Sequence, residues 1–344
     1  MNESIQVVTN QALLPLQANY FKILRVIACP WPAIILFGLV SNVVNVVVFL
    51  KAGAKDNVTI LLIALAMSDL GYLLLISPTM CGFLIQVLFD PKSWPFHFRL
   101  LFFTVHWPAI TMYDYSAYIS VSLGVMRCAC VAMPIKFKLV FTKSRTIKWL
   151  IFLFVAAVLL RLPVLTINRI GWKINPATNI SKLHLVAVNQ ISMSRVMDIL
   201  NRIIMVYITY IIMRVCVITL SFKIFQASRI RQGCTSTGTQ HSGQVSEKQV
   251  KGLSSRDLQV VKSVVLVCSI FIIAQMPQMI LSTTRLINPE VDHGKRLLYL
   301  FSIFNQLIYT SGYLNASVNI FVYYNCNSKY RSVFQSLLIL KKHS

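Results

Sequence analysis

The chemistry open to this chain rests on a few ionisable groups set inside apolar sequence. Asp69 lies in LLIALAMSDL (61–70), and Asp114 lies among Tyr113, Tyr115 and Tyr118. Arg127 sits in SVSLGVMRCACVAMPIKFK (120–138), while Arg161, Arg202 and Arg214 fall within or at the ends of other apolar runs. An ionised carboxylate in mid-bilayer costs about 2.5–3.5 kcal/mol on insertion scales, so each acid needs donors, a cation or a basic partner. For Asp114 two readings stand: it meets a cation on a ligand, or it pairs with an in-span arginine such as Arg202 or Arg214. Hydrolytic and metal chemistry lack their parts. The sequence has no His-x-x-x-His and no Gly-x-Ser-x-Gly, and the histidines (97, 106, 184, 241, 293 and 343) avoid the apolar runs except at the end holding His106. Enzyme activity is not expected.

The elements that must hold these groups follow from composition. Of 344 residues, 56% are hydrophobic and only 12% are charged, with a mean hydropathy of +0.67. Ordinary soluble domains carry about 25% charged residues, and a water-facing fold of this size could not hide so much apolar surface. A helix needs about 20 apolar residues to cross a bilayer. Seven stretches qualify: 28–50, 59–81, 100–126, 149–165, 199–222, 263–284 and 297–324. The expected fold is an all-α membrane protein, a seven-transmembrane helix bundle over 28–324. Residues 1–27 precede it, and residues 325–344 form a tail.

Orientation follows from the basic residues. The net charge is +23. The first, third and fifth connections and the tail hold 19 Lys/Arg, against 11 in the N-terminal segment and the other connections. The basic-rich side is expected in the cytosol, which places the N-terminus outside and the C-terminus inside at the plasma membrane. Membrane lipids are expected partners, since the cations should favour an anionic leaflet; nucleic acid is not. Asn2-Glu3-Ser4 and Asn179-Ile180-Ser181 match the N-glycosylation acceptor on the outer side. The first span is expected to be a non-cleaved anchor. The eight cysteines form no framework, with a Cys29–Cys81 bridge the one pairing near the outer face. Residues 228–255, rich in Ser, Thr, Gly and Gln, read as a flexible cytosolic loop. Tyr330, Val333, Phe334, Leu337 and Leu338 recur at helical spacing beside Lys329 and Arg331, the pattern of a short amphipathic helix on the inner leaflet.

Four blocks carry a family likeness: LLIALAMSDL, SVSLGVMRCACVAMPIKFK, FIIAQMP (271–277) and YLNASVNIFVYYNCNSKYR (313–331). In these spans and this order the chain resembles the rhodopsin-like (class A) G-protein-coupled receptors, in the style of divergent invertebrate peptide or chemosensory receptors. The resemblance implies activation of a heterotrimeric G protein by an extracellular ligand. It makes Arg127 the arginine of the Asp-Arg-Tyr motif, ahead of Pro134, with Asp257 as the acid that holds it in place of the missing neighbour. It groups Asn42, Ser116, Asn315 and Asn319 around Asp69, in a cavity holding water or a sodium ion. Phe271 and Pro277 match the hinge of the sixth span, and Tyr323 the activation tyrosine of the last. Asp114, Tyr113 and Tyr118 are candidate ligand contacts.

Departures from the family pattern matter. Gln275 stands where the family places a tryptophan, Ile320 where it places a proline, and Phe102 where it places a disulfide cysteine whose partner loop, 166–198, also lacks one. Something else must pin that loop. Ala109 stands at the aminergic aspartate position, which argues against a monoamine ligand. A multi-span transporter or channel is the alternative, with Arg161, Asp114 and Arg214 as its only charges along a path.

Overall fold

A computed structural model describes residues 20, 22–54, 56–88, 102–133, 137, 140–163, 168–174, 181–187, 196, 198–236, 255–292 and 295–340. Helices dominate them: α1 (Trp31–Ala52), α2 (Asn57–Leu88), α3 (Trp107–Ala132), α4 (Lys143–Arg161), α5 (Met205–Ser236), α6 (Ser255–Ile287), α7 (Leu298–Ser317), α8 (Asn319–Cys326) and α9 (Ser328–Leu340). Five helical stretches are long and apolar enough to cross a membrane: Lys22–Ala52, Asn57–Gly82, Thr104–Ala132, Ile199–Gln226 and Val261–Ile287. This is a helical, multi-pass membrane protein. The expected fourth and seventh spans correspond to α4 and to α7 with α8, which pack into the same bundle.

Local chemistry sets the helix ends. Pro32 and Pro108 occupy first turns, where no backbone N–H is needed. Asp56 caps α2, accepting from the Thr59 amide at 3.1 Å and its hydroxyl at 2.7 Å. Thr142 caps α4 by accepting from the Arg145 amide. Gly53 ends α1 at φ 82°, a left-handed conformation that suits glycine.

The helices close into a ring in which α1 packs on α2, α2 on α3, α3 on α5, α5 on α6, α6 on α7, and α7 back on α1. Helix α4 lies outside, against α2 and α3. A large apolar cluster fills the half of the bundle around Leu61, Ile119, Met213, Phe271 and Tyr323, and a smaller one around Trp31, Tyr72 and Tyr313 fills the other. Meanwhile Leu36, Ile151, Ile218 and Ile273 point outward, more than half exposed. Apolar residues on the outside as well as the inside are what a lipid-facing bundle requires.

Several expectations are corrected. Helix α4 starts at Lys143, earlier than 149, and ends at Arg161, with Leu162 still in helical geometry just ahead of Pro163. Helix α5 runs on through Ser236, so the first part of the expected loop 228–255 is helical; residues 237–254 lie outside the described set. In keeping with a chain whose cysteines form no framework, Cys29 and Cys81 are both free thiols. The connection after α4 is not loop throughout. β1 (Asn168–Ile174) pairs antiparallel with β2 (Ser181–Ala187), from Asn168 opposite Ala187 to Ile174 opposite Ser181. Backbone pairing thus ties this connection together where no cysteine is available.

Candidate functional site

Among the described residues, Asp69 is the most buried charge-bearing group, 1% exposed on α2. From α3, the Ser116 hydroxyl donates to one carboxylate oxygen at 2.6 Å. From the first residue of α8, the Asn319 amide donates to the other at 2.9 Å. One side chain therefore fastens three helices, and both of its oxygens are satisfied, as a buried carboxylate demands.

The other members of the expected cluster do different work. Asn42, fully buried on α1, donates to the Gly38 carbonyl at 2.9 Å and to the Ala316 carbonyl at 2.7 Å, fastening α1 to the end of α7. Ser41 adds a bond to the Ser317 carbonyl at 3.3 Å. Asn315 is buried on α7 with no hydrogen bond to Asp69. A hard cation selects converging oxygen ligands, whereas Asp69 here meets one hydroxyl donor and one amide donor. The Asp69 carboxylate and the Ser116 hydroxyl supply two such oxygens, and no step below is routed through a cation.

A second layer was not foreseen from sequence. The Tyr330 hydroxyl on α9 donates to Asn45 Oδ1 at 2.7 Å, and Asn45 reaches Asn42 Oδ1 at 3.5 Å. Tyr330, Tyr323 and Phe49 pack edge-on or tilted against one another with ring centroids 5.0–5.8 Å apart. Tyr323 is fully buried, and its hydroxyl has no hydrogen-bond partner. Such an orphaned group costs about 1–3 kcal/mol.

The charge on α3 resolves differently from expectation. Asp114 Oδ2 accepts from Arg161 Nε at 2.6 Å, with the two side chains 18% and 13% exposed. The partner is thus an in-span arginine, but one on α4 rather than Arg202 or Arg214. Arg214 on α5 is oriented otherwise, lying over the Tyr210 ring at 5.1 Å. The pair borders a cavity of about 100 Å³ between α3, α4, α5, α6 and α7, whose lining includes Tyr113, Asp114, Arg161, Arg202, Gln275 and Asn305. Tyr118 is absent from that lining and packs against the large apolar cluster. Gln275 faces this cavity, 6% exposed. Phe271, one turn earlier, is buried in the apolar core. Helix α6 continues through Pro277 to Ile287.

Arg127 lies one and a half turns before the end of α3 and lines a crevice of about 370 Å³ with Asp56, Asn57, Phe137, Phe141 and Lys143. Asn57 donates to the Phe141 carbonyl at 2.6 Å and secures the crevice wall. Asp56, absent from the expected site, is an acid in that wall. The Asp257 side chain, Pro134, Asn2 and Asn179 lie outside the described residues. Among the described residues no group of three or more His, Cys, Asp or Glu could hold a metal ion.

Compared with protein-family models and with curated proteins, the chain matches none.

Proposed function

We propose that this chain is a rhodopsin-like (class A) receptor of the plasma membrane with seven spans, its N-terminus outside and its C-terminus cytosolic. It converts binding of an extracellular ligand, a peptide or chemosensory cue rather than a monoamine, into activation of a heterotrimeric G protein. The reading rests above all on Asp69, a buried carboxylate that fastens α2, α3 and α8 through Ser116 and Asn319. A static anchor would not need ionisable chemistry at such cost in lipid; a joint that must hold in one state and release in another does.

The relay runs along one axis. A ligand reaching the polar cavity meets Asp114, Arg161 and Gln275, and Gln275 sits on the same helix as Pro277, where an intrahelical hydrogen bond is missing. Movement of α6 and α7 is felt at Asn319 and so at Asp69. Below, Arg127 faces a crevice open to a partner. A ligand shifts the balance only by its difference in affinity for the two arrangements. A transporter would need charges spaced along a path, and two of its three candidates are consumed in the Asp114–Arg161 pair.

Nucleotide exchange on a panel of purified G proteins, with peptides and small water-borne molecules as stimuli, tests the reading. Exchange that rises with a stimulus and vanishes in Arg127→Ala supports it. Flux of a stimulus across proteoliposomes without exchange overturns it.

A further inference from the structure

We infer that the crevice on the flank of α3, α4 and α5 seats an acyl chain of an anionic phospholipid whose headgroup rests at Arg145. The crevice measures about 500 Å³, and its walls include Val121, Val125, Met126, Phe141, Trp149 and Ile212. That volume lies within the roughly 300–1,000 Å³ of small-molecule sites. The flank around it is apolar and outward-facing, with Ile147 and Trp149 about half exposed and Ile151 59% exposed.

Two polar features point to an occupant with a head as well as a chain. Thr146 lines the crevice at 3% exposure, and its hydroxyl has no partner. The hydroxyls of Thr111, Thr209, Thr283 and Thr310, also on helices, each donate to the carbonyl four residues back. Rotation about its Cα–Cβ bond would offer the Thr146 hydroxyl to a lipid ester or phosphate oxygen. At the same end, Arg145 lines the crevice and donates to the Val140 carbonyl at 3.1 Å. Lys143, Arg145 and Lys148 are exposed on the first two turns of α4, a helix with no acidic residue. Arg145 selects an anionic head, and the apolar walls select a chain, so a free phosphate would leave the crevice unfilled.

The inner leaflet as the source of this lipid rests on the orientation proposed above; the seat itself does not. The full-length chain, purified from vesicles of equal phosphatidylserine and phosphatidylcholine, is released into mild detergent, and retained lipid is weighed by native mass spectrometry. Preferential retention of phosphatidylserine is expected. Arg145→Ala should cut that preference about fivefold, the factor one well-placed cation is worth at an anionic surface. Val125→Trp, which fills the crevice, should abolish retention of both lipids. Because Arg145 is exposed, its variant keeps the test decisive should Val125→Trp fail to fold. Equal retention of the two lipids by the unmodified chain, or unchanged preference in Arg145→Ala, overturns the inference. Labelling that places the Arg127 end outside the cell, with phosphatidylserine still retained, would instead fault the orientation alone.

Discussion

At the scale of single residues, the bundle spends its polar groups in pairs. The Asp114–Arg161 contact is mostly buried, and removing one partner of a buried ion pair costs about 3–5 kcal/mol because the other is stranded. Asp114→Asn and Arg161→Gln should each lower the melting temperature by more than the double variant does, as read by thermal unfolding in detergent. Single losses that add up in the double variant would show the pair to be incidental. Asp69 differs, since its two donors already satisfy it. Replacing sodium by potassium or choline at constant ionic strength should therefore leave the melting temperature unchanged; a sodium-specific rise would contradict this account of the site. Much of this scale was legible beforehand. Asp69 stands out as a carboxylate inside an apolar run, and the family resemblance points to Ser116 and Asn319. The partner of Asp114 was not legible, because Arg161 is 47 positions away and nothing in either segment says which helix faces meet.

Among the helices, the join between α7 and α8 carries the most information. The family likeness puts a proline at position 320 to break this helix, yet the residue is Ile320 and the helix breaks anyway at Val318. Asn42 and Ser41 explain it. They donate to the carbonyls of Ala316 and Ser317, the acceptors a continuous helix would offer to the Ile320 and Phe321 amides, and the Phe321 amide turns instead to Val318 at 3.1 Å. Side chains from α1 thus do what a missing amide hydrogen does elsewhere. Asn42→Leu should let the two helices join and shift Asn319 away from Asp69; amide exchange around 318–321 should slow, whereas unchanged exchange would refute the explanation. Close approach is required for these bonds. A Cβ at Gly38 would overlap Ser317 Oγ and Leu73, so Gly38→Ala should destabilise by about 1–3 kcal/mol, the usual range for overpacking. Thermal unfolding would register it. The amphipathic period of α9 was plain in the sequence, but its anchor was not: Tyr330 and Asn45 are 285 residues apart. The hairpin is less legible for another reason, since Ser181–Ala187 is short and its alternation ends in the apolar run Leu185-Val186-Ala187.

Taken whole, the molecule is a ring of helices with a small polar cavity at the Asp114 end, an open basic crevice at the Arg127 end, and Asp69 between them. That order suits a relay better than a conduit, because the space between the two openings is filled by the larger apolar cluster. The most direct measurement is stimulus-driven nucleotide exchange by the purified chain on a panel of G proteins, run beside Arg127→Ala and Asp69→Asn. The account predicts exchange by the unmodified chain with at least one stimulus, none in Arg127→Ala despite retained stimulus binding, and an altered response in Asp69→Asn. Full exchange in both variants, or transport of a stimulus with no exchange at all, would contradict it.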